Sequence, residues 1–237
     1  MKKLILIFCI SLGSVSFSQL HSMGFQVGGM GTSLGSSFNN GDSKPKIDLT
    51  AGLNYQYRFT SHLTLGANLE YTQFGAQLPV EFFDSWGVFI TENYSSWDWN
   101  YVSMPLIVGY EMGGNISFKP KAALVPSFLA SAIYNFKSYE GTTLAPYKQS
   151  YFPQAKKFDL AGMVGIDFSA RFHSGVVFLS IDGRYSLTTL NTDDFYLEST
   201  FFGSMRNRSI STTLGVRFNL GNPEAEGIKD IIDDPLD

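Results

Sequence analysis

The sequence predicts an all-β protein, an eight-stranded antiparallel up-and-down transmembrane β-barrel with short periplasmic turns and long external loops. Three observations lead to this prediction: long segments in which apolar and polar residues alternate, connections that are alternately short and long, and an N-terminal segment typical of exported proteins. Successive side chains of a strand point to opposite faces. Alternation with period two therefore predicts a sheet with one apolar and one polar face.

The clearest hairpin covers residues 47–77. Between Ile47 and Phe59 the odd positions are apolar or small, and the even positions are polar or glycine. The alternation resumes at Leu63 after a three-residue turn. Soluble strands usually have about 5–6 residues, whereas a tilted strand needs roughly 9–11 to cross a bilayer. These strands are long enough to cross, and their apolar face suits contact with lipid.

Six further strands follow the same pattern, although the first is rich in glycine. They are predicted at 24–34, 100–111, 116–134, 158–172, 176–190 and 206–220. Short turns at 60–62, 112–115 and 173–175 alternate with longer segments at 35–46, 78–99, 135–157 and 191–205. Outer-membrane barrels alternate short periplasmic turns and longer external loops in this way. An even strand number then places both termini in the periplasm.

The first residues predict a signal peptide. Lys2 and Lys3 precede an apolar run at 4–12, and small residues before Gln19 favour cleavage between Ser18 and Gln19. The predicted organisation is a signal peptide at 1–18, an outer-membrane barrel at 19–220 and an acidic periplasmic tail at 221–237. Cys9 is the only cysteine and lies in the apolar run, a poor context for lipid attachment. The mature chain would therefore hold no disulfide and no cysteine nucleophile.

Composition excludes several classes of protein. Charged residues make up 16% of the chain and aromatic residues 15%, whereas soluble domains average about 25% charged residues. Beyond the signal peptide no apolar run is long enough for a transmembrane helix. Without Lys2 and Lys3 the chain has 15 basic and 21 acidic residues, a formal charge of −6. This negative charge argues against nucleic acid as a partner.

The inward-facing positions of the predicted strands carry nearly balanced charge, which predicts a polar lumen core. The residues are Asp48, Arg58, Glu70, Lys119, Lys121, Asp159, Asp167, Arg171, Asp182, Arg184 and Arg217. An eight-stranded barrel is just wide enough to be filled by its own side chains, and buried charges need partners. One interpretation is a salt-bridged core that replaces a hydrophobic one. The alternative is a selectivity lining for an ion path.

The sequence offers no catalytic, cofactor or metal site. His21, His62 and His173 do not have zinc-site spacing, and two of them fall in predicted short turns. A catalytic triad at the external rim would need a histidine there. The glycine-rich first strand is not a phosphate loop, because no helix follows it. We therefore predict that the protein is not an enzyme and needs no cofactor.

Two long segments are rich in aromatic residues. Those near strand ends are predicted to form an interfacial girdle: Trp97, Trp99, Tyr101 and Tyr134. Phe82, Phe83 and Trp86 lie farther from any predicted strand and could instead form a contact surface for a partner or ligand. The acidic tail has two interpretations, a solvated terminus and a periplasmic docking peptide.

Five segments resemble the PorT-like outer-membrane β-barrel family of Gram-negative bacteria, over nearly the whole mature chain. They are the runs 24–30, 63–76, 101–110, 182–186 and 214–218. The run 101–110 is similar to that family's most recognisable strand, with an aromatic residue followed by an apolar-Pro-Leu motif at Pro105. The last run, with Leu214, Val216 and Phe218, resembles the signal that the barrel-assembly machinery recognises, although here a tail follows it.

The resemblance implies an eight-stranded barrel in the outer membrane, in contact with outer-membrane lipid. The family's namesake takes part in type IX protein secretion. We therefore expect a structural or interaction role, as a component or accessory of a secretion or other envelope complex. The alternatives are a small pore or a ligand or transport barrel, an enzyme, and a soluble lipocalin-like barrel, which would need apolar residues inside.

Overall fold

The computed structural model describes the barrel and much of its loop region. The described residues are 21–36, 44–83, 86, 89–140, 143–150, 155–172, 174–190, 196–197, 200–201 and 205–220. The predicted signal peptide and acidic tail, and His173, lie outside them. None of the described segments forms a helix with the length and hydrophobicity needed to cross a bilayer.

Thirteen strands are present in the described residues. They are β1 (His21–Ser36), β2 (Lys44–Arg58), β3 (Leu63–Phe83), β4 (Phe89–Ser103), β5 (Leu106–Tyr110), β6 (Met112–Gly113), β7 (Ile116–Glu140), β8 (Thr143–Ser150), β9 (Phe158–Phe172), β10 (Gly175–Ser186), β11 (Tyr196–Leu197), β12 (Thr200–Phe201) and β13 (Met205–Asn219).

The strands close into a barrel with eight wall positions, all paired antiparallel. The order is β2, β1, β13, β10, β9, β7, then β4 with β5, then β3, which pairs with β2 and completes the ring. Ser22 pairs with Asn219 in the seam between the first and last strands. Closure of the ring gives each of the eight wall positions in the described residues a neighbour on both sides. The predicted fold class is confirmed.

The two ends of the barrel differ in the length of their connections. We call the end that holds His21, Asn219 and the tight turns the short-turn end, and the opposite one the long-loop end. Gly113 has a positive φ of 104° in one of the tight turns, a conformation that favours glycine because it has no Cβ.

The wall position predicted as one strand at 100–111 is interrupted. Met104 and Pro105 separate β4 from β5, because Pro105 has no N–H to donate to the ladder. Neighbouring strands bridge the gap: the Met104 N–H donates to Pro126 O at 2.9 Å, and the Asn68 N–H donates to Pro105 O at 3.0 Å.

The segments 78–99 and 135–157, which were predicted as loops, are largely strand, so the strands on either side of them extend beyond their predicted boundaries. β3 and β4 pair as far as Phe83 opposite Phe89, although 78–99 was predicted as a loop. β7 and β8 likewise pair through much of 135–157. We call these extensions the projecting hairpins, because β2 reaches β3 only as far as Gln77. Cross-strand pairing within each hairpin stabilises these residues without help from a membrane.

The faces of the wall have opposite polarity. Outward side chains are apolar and exposed, for example Ile47 at 86%, Leu53 at 58% and Ile210 at 68%. The inward side chains of the same strands are polar and buried, including Thr50, Asn54 and Thr213. A lipocalin-like barrel would show the reverse, so this arrangement suits lipid outside and a polar interior.

Candidate functional site

The interior of the barrel and the projecting hairpins are two regions with functional potential. At the short-turn end the interior is closed by one carboxylate between two guanidinium groups. Glu111 pairs with Arg58 at 3.0 Å and with Arg171 at 2.6 Å. Ser117 Oγ also donates to Glu111 Oε1 at 2.9 Å. The carboxylate thus joins three wall positions across the opening.

The middle of the lumen holds a denser cluster around Asp167. This carboxylate pairs with Lys119 at 2.9 Å and with Lys121 at 2.7 Å, and Lys121 also pairs with Asp182 at 2.9 Å. Lys119 donates to Gln56 Oε1 at 2.7 Å, and Arg217 donates to the same oxygen. The Arg217 guanidinium lies 4.3 Å from the Phe178 ring centroid. These contacts satisfy buried charges with several partners each, which offsets their desolvation.

A small cavity remains beside this cluster. It has a volume of about 20 Å³ and is lined by Asn54, Gln56, Lys119, Asp167 and Arg217, among others. This is room for about one water molecule. The middle of the lumen is therefore packed, as expected for eight strands.

Farther towards the long-loop end, Glu70 is the centre of the next cluster. Arg184 pairs with Glu70 at 2.8 Å, and the amides of Gln26 and Asn68 both donate to Glu70 Oε1 at 2.9 Å. Asp159 lies on another part of the wall. It is buried and accepts hydrogen bonds from Ser186 at 2.7 Å and Thr188 at 2.6 Å.

The last charged cluster lies at the long-loop end. Lys46 pairs with Asp48 and with Asp98, both at 2.6 Å. Thr32 Oγ1 donates to Asp48 Oδ2 at 3.0 Å and accepts the Gly75 N–H at 3.0 Å. This threonine connects the ion pairs to the backbone of β3.

An aromatic and aliphatic core closes the lumen at this same end. Its members include Met30, Phe74, Trp97, Trp99, Tyr101, Leu129, Tyr134, Leu190 and Met205. The prediction that Trp97, Trp99, Tyr101 and Tyr134 form an outward girdle is wrong, because each is at most 9% exposed and lies inside. The tryptophans share the inward face of β4 with Ser103. A bulge in β7, opposite Asn100 and Tyr101, turns Tyr134 to the same side.

The aromatic contacts continue from this core into a projecting hairpin. Trp97 and Tyr134 have ring centroids 4.7 Å apart, Tyr134 and Phe136 are stacked at 5.3 Å, and Phe136 and Tyr147 at 5.6 Å. Aromatic pairs at such distances contribute beyond the area they bury. The β7–β8 hairpin is thus anchored in the barrel interior.

The structure places all eleven predicted lumen residues on the inner side of the wall and engages each in an ion pair or hydrogen bond. Sequence reasoning missed Lys46, Asp98 and Glu111, which join the same clusters. Glu111 continues the inward alternation of its strand, a signal that was present in the sequence. Lys46 and Asp98 fell in predicted loops, where alternation was not applied.

The other predicted residues are distributed over the outside. Leu214 and Phe218 point outward from β13 and are 57% and 45% exposed; Val216 is on the same face. Trp86 lies at the tip of the β3–β4 hairpin and is 89% exposed. Phe82 and Phe83 belong to the paired part of β3, and their side chains lie outside the described part of the structure.

The described histidines lie at the short-turn end. His21 Nδ1 is 2.7 Å from the Tyr55 hydroxyl, and His62 Nδ1 is 3.0 Å from the Glu111 carbonyl oxygen. Neither described histidine is near the long-loop end. Within the described residues no group of three or more His, Cys, Asp or Glu side chains is arranged to hold a metal ion.

Solved structures of outer-membrane barrels resemble this one. Ail of Yersinia pestis, in complex with the heparin analogue sucrose octasulfate, is 14% identical, with 84% of this chain and 99% of that chain covered and a TM-score of 0.41. Neisserial surface protein A is 14% identical, with 84% and 97% covered and a TM-score of 0.45. The outer membrane protease OmpT from Escherichia coli is 10% identical, with 85% and 96% covered and a TM-score of 0.33.

At these identities and scores the structural matches carry no inference about activity. No curated protein matches the sequence significantly. The family comparison is more direct, because the model of the outer membrane protein beta-barrel domain matches residues 12–191 of the 237. The chain therefore belongs to the outer membrane protein beta-barrel domain family and is an outer-membrane β-barrel protein.

Proposed function

We propose that this protein is a non-enzymatic barrel whose role is structural or interactive, as a component or accessory of a secretion or other envelope complex. The observation that carries the proposal is the contrast between a closed interior and the hairpins that project from it. Ion pairs and an aromatic core fill the lumen, whereas Trp86 at a hairpin tip is 89% exposed. The resemblance to the PorT-like barrels favours the same role.

The β3–β4 hairpin is the proposed contact surface. Exposed tryptophan is a costly residue to leave in water and is enriched at the centres of protein interfaces. Beyond Gln77 no described residue of β2 pairs with β3, although Lys44 contacts Tyr94. Trp86 lies farther along the hairpin, between the end of β3 at Phe83 and the start of β4 at Phe89. A partner could therefore bind it without disturbing the barrel.

The experiment is affinity purification from outer membranes in mild detergent, with a tag inserted in the 37–43 segment so that both termini stay free. We expect a stoichiometric partner that co-purifies with the full chain and is lost when residues 80–93 are replaced by a short turn. A matched control shortens the other projecting hairpin at 138–145. Heat-modifiable migration on gels verifies that each variant is folded. Recovery of the protein alone under all conditions would contradict the proposal.

The filled lumen also argues against the pore alternative. The central cavity is only about 20 Å³, and ion pairs cross the lumen above and below it. We expect no steady conductance from purified protein in planar bilayers. Steady single-channel currents would favour the pore and would count against the interaction role.

We propose in addition that the short-turn end, with both termini, faces the periplasm. The predicted mature chain lacks cysteine, so labelling of a single introduced cysteine shows which side of the membrane that position faces. Ser61→Cys lies in a short turn and Lys148→Cys in a projecting hairpin, and both positions are exposed. A membrane-impermeant maleimide should label Lys148→Cys in intact cells and Ser61→Cys only after lysis. Labelling of Ser61→Cys in intact cells, with Lys148→Cys labelled only after lysis, would show that the short-turn end faces outward.

A further inference from the structure

A depression lies in the outer wall near the long-loop end, where β1, β13, β10 and β9 are neighbours. It has a volume of about 710 Å³. Exposed side chains of Val164, Tyr185 and Ile210 line it, at 67%, 39% and 68% exposure, so it opens to the outside of the barrel. We call it the outer groove.

Glycines occupy outward positions in the floor of the outer groove. Gly31 and Gly183 flank Ile210 in the ladder, and Gly162 pairs with Tyr185. A Cβ added at Gly162 would meet nothing within 4 Å, and at Gly183 the nearest atom would be 3.9 Å away. The chain's own packing therefore does not require glycine at these positions, and the groove is a feature of the surface that faces lipid.

Two arginines border the groove on β13. Arg206 and Arg208 precede the outward series from Ile210 to Phe218, which is apolar except for Thr212. That series spans roughly 20 Å of the membrane normal for a strand tilted in the usual way. Arg208 lies directly beyond the Ile210 end of this series, a position that suits the boundary between hydrocarbon and lipid phosphates.

Tyr185 holds these arginines over the groove. Its side chain hydrogen-bonds with both Arg206 and Arg208, and the Arg208 guanidinium lies 5.6 Å from its ring centroid. Among the described residues, the outward positions of β1, β9, β10 and β13 carry no carboxylate. Among these described outward positions the positive charge thus has no acidic counterpart, and phosphate matches guanidinium in charge and geometry.

We propose that the outer groove binds one molecule of lipid A, the phosphorylated glycolipid of the outer leaflet. Arg206 and Arg208 bind a phosphate, and an acyl chain lies in the groove over Gly183. This assignment rests on the proposed orientation, with the long-loop end outside. Binding in detergent does not depend on orientation, so the two proposals fail in different experiments: labelling tests the orientation, and lipid titration tests the groove.

The experiment titrates purified full-length protein in detergent with bisphosphorylated lipid A, and separately with phosphatidylglycerol, using native mass spectrometry. We expect lipid A to bind more tightly than phosphatidylglycerol. Arg206→Gln with Arg208→Gln should weaken lipid A binding by about tenfold or more, through loss of charge-assisted hydrogen bonds. Gly183→Leu should weaken it by filling the groove, and its side chain has the space to do so without distorting the wall.

Gly29→Leu is the matched control. Gly29 lies outward on β1, a Cβ there would meet nothing within 4 Å, and it does not line the groove. We expect wild-type lipid A affinity for this variant. The proposal is overturned if the arginine double variant binds lipid A like the wild type. Equal losses in Gly29→Leu and Gly183→Leu, or equal affinity for the two lipids, would also overturn it.

Discussion

Glu70 and Arg184 are 114 residues apart in the chain and form an ion pair of 2.8 Å across the barrel. Their strands, β3 and β10, are four positions apart in either direction around the eight-membered ring. The pair therefore connects opposite walls and spans the full lumen. The Glu70 side chain is 6% exposed and the Arg184 side chain 9%, so the pair is shielded from solvent and strengthened by the low local dielectric.

Removal of the Glu70 charge should destabilise the barrel strongly. Glu70→Gln leaves the buried Arg184 without a carboxylate, which typically costs about 3–5 kcal/mol of unfolding free energy. Equilibrium urea unfolding in detergent measures the loss. The double variant Glu70→Leu with Arg184→Met should recover much of the stability, because it removes both charges. A single variant as stable as the wild type would show that the pair contributes little.

Two glycines three residues apart in β9 should respond oppositely to alanine. At Gly165 a Cβ would lie 2.0 Å from Asp182 Oδ1 and 2.6 Å from the Ile181 carbonyl oxygen. We expect Gly165→Ala to cost about 1–3 kcal/mol or to impair folding, because a packed interior resists added volume. Gly162→Ala should be close to neutral in the same assay. Similar stability for the two variants would contradict the inward position of Gly165.

The three tryptophans should differ in their access to solvent. Trp97 and Trp99 are 1% and 0% exposed, and Trp86 is 89% exposed. Iodide should quench only part of the fluorescence of the native protein in detergent. Trp86→Phe should abolish most of that quenching, whereas Trp97→Phe should retain it. Uniform quenching of all three would exclude an aromatic core inside the lumen.

Truncation after Leu220 should leave the barrel intact. The seam between β1 and β13 ends with Ser22 opposite Asn219, and the Leu220 N–H donates to His21 O at 2.8 Å. The wall pairing is thus complete without residues 221–237. Heat-modifiable migration should be unchanged in the truncated protein. A loss of assembly would assign the tail a part in folding, and loss of a partner alone would support its role as a docking peptide.

Much of the wall was predictable from local pattern. Lipid requires apolar side chains on one face and the lumen requires polar ones on the other, so alternation at Ile47, Leu49 and their neighbours indicated both the strand and its faces. The same rule indicated that Asp167, Asp182 and Arg217 point inward. Prediction of strands stopped at the projecting hairpins, because their alternation is weak in the sequence and they are stabilised by pairing between β3 and β4 and between β7 and β8.

The sequence by itself determined the kind of protein, the number of wall strands and which face of each strand is apolar and which is polar. These properties depend on periodicity over neighbouring residues. Only the tertiary structure decided which inward charges meet. Asp167 forms ion pairs with Lys119 and Lys121, and Glu70 forms one with Arg184 on the opposite wall. Trp97 lies inside the barrel instead of in an outward girdle. These contacts join residues far apart in the chain, and they depend on register, a bulge in β7 and closure of the ring.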